Sequence, residues 1–169
     1  MQGFISGSTK RNIKGDDNNM SSDIEINAIY VYLKAQSTLM ALLNTTYLFK
    51  YEPEVPDLNK SGKAALVINI TGGDSPRSNN TMNPRLNCAI YADHDRNSEG
   101  EITTLNGKDK MYRIYRVLNP LLHWPNREPR TLDGLKFIGS LRGVEPTLAV
   151  DRDVGMPYLW VAYDMNKAF

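Results

Sequence analysis

Ala64 to Thr71 (Ala-Ala-Leu-Val-Ile-Asn-Ile-Thr) is a nearly continuous apolar run that stops at Gly72-Gly73-Asp74. A strand with one face in water alternates apolar and polar residues, and this run does not. It therefore predicts a strand covered on both faces. Arg85 to Asp93 is different, with Leu86, Cys88 and Ile90 on one face and Asn87, Ala89 and Tyr91 on the other. That period of two predicts a second strand.

Helical spacing appears twice. Ile26, Ile29, Tyr30 and Leu33 form one stripe, which Met40 and Leu43 continue after a break near Ser37, and Asn44 closes it. Ser22-Asp23-Ile24-Glu25 has the form of a capping box, predicting Ser22 as the N-cap. Met111, Ile114, Tyr115 and Leu118 form the other stripe, with Asp109 suiting the first turn and Pro120 ending or kinking the helix. Thr45–Tyr51, Leu135–Arg142 and Tyr158–Asp164 read as further strands, and Thr147–Val150 as an extension of one. Glu52-Pro53-Glu54-Val55-Pro56, Gly72–Pro84, Asp93–Gly107 and Pro125–Gly134 read as loops or turns.

The order helix, strand, strand, strand, helix, strand, strand predicts an α+β fold. Its sheet is mainly antiparallel, with two principal helices packed on one face. Met1 to Asn19 is rich in Gly, Ser, Asn, Lys and Asp, so residues 1–20 are expected to form a flexible arm and 21–169 a single domain. With 41% apolar residues, the 169-residue chain can bury a core without a metal or disulfide.

Twenty basic residues stand against 19 acidic ones, a formal charge of +1, and the arginines are dispersed. That balance gives no support to sequence-specific nucleic-acid binding. The lone Cys88 rules out an internal disulfide and reads as a buried structural thiol. No apolar run approaches the roughly 20 residues that span a bilayer, so no membrane association is expected.

Motifs that could carry chemistry fail at named residues. Asp93, Asp95 and Asn97 match the opening of a calcium loop, but Ser98 stands where the turn glycine is needed and Thr104 at the twelfth position. Gly72-Gly73-Asp74 lacks the Gly-Lys-Ser/Thr of a phosphate loop. One cysteine and two histidines, His94 and His123, are too few for a zinc site, and no serine sits in a nucleophile elbow. The expectation is a non-enzyme with no cofactor and no metal. What remains is surface: two long polar loops, the arm, and a C-terminal strand carrying Tyr158, Trp160 and Tyr163.

Four segments resemble the tail terminator, or tail-completion, proteins of long-tailed bacteriophages. Leu39-Met40-Ala41-Leu42-Leu43 resembles the family's first-helix ending and Ala65-Leu66-Val67-Ile68-Asn69-Ile70 its second strand. Leu86-Asn87-Cys88-Ala89-Ile90-Tyr91-Ala92 resembles the third strand, and Tyr158-Leu159-Trp160-Val161-Ala162-Tyr163 the closing one. The likeness spans residues 24–165 and rests on element order. The N-terminal extension and the length of the 93–107 loop depart from it.

The resemblance implies a homo-hexameric ring in the virion, assembled in the host cytoplasm. Such a ring caps the tail tube, stops its growth and docks the head connector. The family has no catalytic motif to carry over. The 72–84 loop is the expected tube contact, with Asp74, Arg77, Asn79, Asn80 and the adjoining Arg85 as candidate residues. Arg77 and Arg85 could pair with acidic groups on the tube protein, solvated arginines being the plainer reading. A head-closure or neck subunit, and a small hydrolase or ligand-binding protein, are the alternatives.

Overall fold

The computed structural model describes residues 17–43, 47–50, 64–71, 81–82, 84–125, 128–151 and 156–168. The elements are α1 (Asp17–Lys34), α2 (Ser37–Leu42), β1 (Leu48–Lys50), β2 (Ala64–Thr71), β3 (Thr81–Met82), β4 (Arg85–Ala92), β5 (Asp95–Arg96), β6 (Ile102–Thr104), α3 (Gly107–Leu122), β7 (Arg130–Leu132), β8 (Leu135–Val150) and β9 (Pro157–Ala168). The main sheet runs β1-β2-β4-β9-β8-β7, with β3 also on β9, and β5-β6 form a separate hairpin. Its pairings are antiparallel except β1 with β2. The fold is thus the expected α+β class with a mainly antiparallel sheet.

The period-two pattern decides the layering. Leu66, Ile68, Leu86, Cys88, Ile90, Leu159, Val161, Tyr163 and Met165 turn to the helices and join Ile26, Ile29, Leu33, Leu39, Leu43, Met111, Ile114, Leu118 and Leu122 in the principal core. Intervening residues face the other way, where Ala65, Val67, Tyr91 and Met156 form a second, smaller cluster flanked by Tyr47, Phe49, Ala89 and Tyr158. The apolar run of β2 is therefore covered on both faces through Ile68. Burial in the principal core pushes the Cys88 thiol pKa far up, so it stays protonated as a packing group.

Several boundaries differ from expectation. Helix α1 starts at Asp17, so Ser22 lies inside it and Asp17–Met20 belong to the helix and not to an arm. Glu25 is 3% exposed and its carboxylate meets Lys167 Nζ of β9 at 2.8 Å. A buried ion pair, and not a capping box, is the reason for an acid at that position. Pro120 neither ends nor visibly breaks α3, which runs on to Leu122, since a proline in the last turn forfeits a single ladder bond. Residues 130–132, expected as turn, form β7, joined to β8 through Asp133-Gly134, both at positive φ (44° and 82°), the geometry of a two-residue hairpin turn.

The largest difference is β8. Sequence signals predict a strand to Arg142 and a connection from Gly143, but β8 pairs with β9 from Phe137 to Val150. Gly143 and Glu145-Pro146 are absorbed by register shifts between Arg142 and Val144 and between Val144 and Thr147. β3 and β4 pair with β9 in the same register, Thr81 on Ala168 and Arg85 on Asp164. Pro84 has no N–H to give, yet its carbonyl accepts from Met165 N–H at 2.9 Å. The segments 1–16, 51–63 and 72–80, with the expected Pro53–Pro56 loop and most of the 72–84 loop, lie outside the described residues.

Gly107 opens α3 where the helix closes onto the end of β4. A Cβ there would sit 2.9 Å from the Ala92 carbonyl oxygen, 3.3 Å from Asp93 C and 3.4 Å from His94 N, all backbone atoms that cannot swing aside. Gly107→Ala is expected to destabilise the fold by about 1–3 kcal/mol. In thermal melts that is a fall in Tm of roughly 2–4 °C per kcal/mol for a domain of this size.

Candidate assembly surfaces

The helix-free face of the sheet forms an open trough of about 560 Å³ lined by Val67, Asn69 and Thr71 of β2, Asn87, Ala89 and Tyr91 of β4, Tyr158 and Trp160 of β9, and Val150 and Asp151 at the β8 end. Strand register orders it. At one end the Tyr91 and Tyr158 rings stack with centroids 5.2 Å apart, and Tyr91 Oη donates to Asp151 at 3.3 Å. Toward the other end Asn69 stands opposite Asn87, and Asn87 Nδ2 donates to Thr71 Oγ1 at 2.6 Å. Beyond that, Arg85 Nε donates to Asp164 Oδ1 at 2.8 Å. The surface thus grades from aromatic to amide to ionic.

Arg85 is exposed, and the hydrogen bond from its guanidinium to Asp164, helped by the carboxylate charge, raises its pKa further. Of the predicted contact residues it alone is described: Asp74, Arg77, Asn79 and Asn80 lie outside the described residues. Its partner Asp164 was not singled out by the sequence. The signal was present, because Tyr158, Trp160, Ala162 and Asp164 share the face opposite Leu159, Val161 and Tyr163. Gly143 fits beside this pair, for a Cβ there would lie 2.3 Å from the Asp164 carboxylate.

β7 lines the outer edge of β8 as far as Phe137 and Trp124 bridges Ser140; beyond that, among the described residues, Arg142 N–H donates to His123 Nδ1 at 3.0 Å. The bulges of β8 and Pro146 blunt this edge against strand addition. On the helix side, Arg142 donates to Tyr115 Oη and to Glu145, each at 2.6 Å, and Tyr115 and Tyr163 both reach Asn119 Oδ1. Burial raises the Tyr163 pKa, so its hydroxyl remains a donor.

Asp93 to Gly107, expected as a solvated loop, is a braced β5-β6 hairpin. The three residues that resemble the start of a calcium loop each serve a different set of protein donors. Asp93 accepts from His94 N–H at 2.8 Å and Arg96 Nε at 2.7 Å, and Arg96 reaches on to the Gly100 carbonyl at 2.9 Å. Asp95 holds Lys110 and Asn106. Asn97 Oδ1 accepts from the N–H groups of Glu99 and Glu101. Gly107 N–H, the first of α3, donates to His94 Nδ1 at 3.0 Å. An isolated two-stranded hairpin is marginal, and these bonds are what hold this one to the helix.

The hydrogen bonds from Lys110 and then Asn106 hold Asp95 below the usual carboxylate range. A depressed folded-state pKa means the tie is intact above the unfolded value of about 3.8 and is lost as pH falls through the lowered one. An NMR titration should therefore show the Asp95 carboxyl, with the Lys110 signal following it, moving at lower pH than exposed aspartates do.

No family model and no curated protein matches the sequence. In shape the chain is similar to a chain in the virion of a native gene transfer agent (GTA) particle, with a TM-score of 0.55 and 12% identity, over 85% of this chain and 93% of the other. At that identity the likeness is one of fold.

Proposed function

We propose that this chain is a virion structural subunit of the tail terminator type. It forms a homo-hexameric ring that caps the tail tube, stops elongation and receives the head-side connector. The observation that carries the virion part of this reading is the fold shared with a virion chain over 85% of this chain and 93% of the other, and the ring rests on the resemblance in element order. The described surfaces are compatible with it: the trough presents the half-buried Tyr158 and Trp160, and the β5-β6 hairpin exposes Ile102. In this reading Arg85, at the ionic end of the trough, is one of the residues that meet the tube.

The test is the solution mass of the full chain by light scattering, negative-stain imaging, and addition to its polymerising tail-tube protein. A ring six chains in mass with a central lumen, ending tube growth, is the expected result. A monomer that leaves tube growth unchanged would overturn the reading. A ring that ignores the tube and binds the head portal would replace it with a neck subunit.

A further inference from the structure

Two surfaces of the chain carry opposite charge without ion-pair partners among the described residues. On the β5-β6 hairpin, Glu99 and Glu101 are exposed, and Ile102 and Leu105 beside them are 47% and 77% exposed. On α3, Lys108, Arg113 and Arg116 are exposed over about 12 Å of its outer side, with one acid, the exposed Asp109, among them and the Lys108 ammonium over the half-buried Tyr112 ring. The hairpin is fixed to the start of α3 through Asp95–Lys110 and His94–Gly107, and no ion pair joins Glu99 or Glu101 to that helix's cations within the chain.

We propose that the acidic, apolar hairpin of one copy docks on the cationic outer face of α3 of the next. This rests on the ring reading and names its contact. Charge complementarity selects the partner: a second copy supplies the cations that Glu99 and Glu101 face, and Tyr112 supplies an apolar seat for Ile102 or Leu105. Donor and acceptor are different patches of one chain, so repeated copies join head-to-tail, the kind of contact from which a ring is built when its rotation closes. The Arg96, Asn97 and Asp95 bonds order the hairpin before contact, so association costs little further ordering.

The experiment uses two full-length variants, Glu99→Lys/Glu101→Lys and Arg113→Glu/Arg116→Glu, read by sedimentation. Each alone juxtaposes like charges, and assembly should weaken by about 100-fold or more. Mixed one to one, each variant's hairpin meets the other's helix with opposite charge, and the oligomer should return. That return also shows that both variants are folded. Assembly unaffected by either variant would overturn the contact and leave the ring reading standing. A wild-type chain that stays monomeric and leaves tube growth unchanged would overturn both. Wild-type binding to a fluorescent DNA duplex, lost in Arg113→Glu/Arg116→Glu and with no return of oligomer on mixing, would assign the α3 face to nucleic acid instead.

Discussion

Glu25→Ala should lower the stability of the fold by about 3 kcal/mol in chemical denaturation, among the largest single-residue effects in the molecule. Glu25 and Lys167 have side chains only 4% and 16% exposed and meet at 2.8 Å, tying α1 to the last residues of β9. Removing the carboxylate leaves an ammonium with little water and without that counter-charge, which is the costly half of breaking a buried pair. The value falls at the low end of the usual range because the Lys167 stem lets its head approach solvent. Replacing both together, Glu25→Leu with Lys167→Met, removes both desolvation costs, and that double variant should be within about 1 kcal/mol of the parent. A double-mutant cycle gives the coupling directly, and additive losses would show that the pair is not a unit.

That pair also marks where sequence reasoning stops. Glu25 sits three residues after Ser22, so the local pattern fits a cap, and nothing nearby indicates a lysine 142 residues on. Patterns legible along the chain were those fixed by local geometry. The limits of β2 were read to the residue, and those of β4 within one, because periodicity reports burial directly. β8 was cut short because Gly143 and Pro146 are breakers in isolation, and only the β9 ladder shows them seated at bulges. β7 escaped notice because three residues carry no period, although Asp133-Gly134 is a hairpin signal.

The surfaces follow the same division. The aromatic content of β9 was visible, but the trough exists only when Thr71, Asn87 and Asp164 are brought side by side by register. In the 93–107 segment the acidic residues suggested cation ligation or free solvation. The structure gives Asp93 and Asp95 internal donors, because a short hairpin needs anchors more than its sequence discloses. Arg85, the one described residue of the expected tube contact, lies at the polar end of the open face.

Trp124 offers the second large effect, and one with an unusual internal contrast. Its side chain is 1% exposed, its N–H and carbonyl bridge Ser140 at 2.8 and 3.0 Å, and the Arg130 guanidinium lies 4.7 Å from the ring. Ser140 Oγ donates to the Leu122 carbonyl at 2.5 Å, so this point joins the end of α3 to β8. Trp124→Ala should cost about 3–5 kcal/mol through lost burial and the space left behind. Yet the buried indole N–H meets no acceptor among the described residues, a penalty of about 1–3 kcal/mol already present in the native protein. Trp124→Phe removes that donor while keeping an aromatic face for Arg130, so its lost volume is largely offset and the net change should be within about 1 kcal/mol. Urea unfolding of the two variants separates the terms. A Phe variant as unstable as the Ala variant would mean that the indole N–H is satisfied in solution and that volume is not what this site needs.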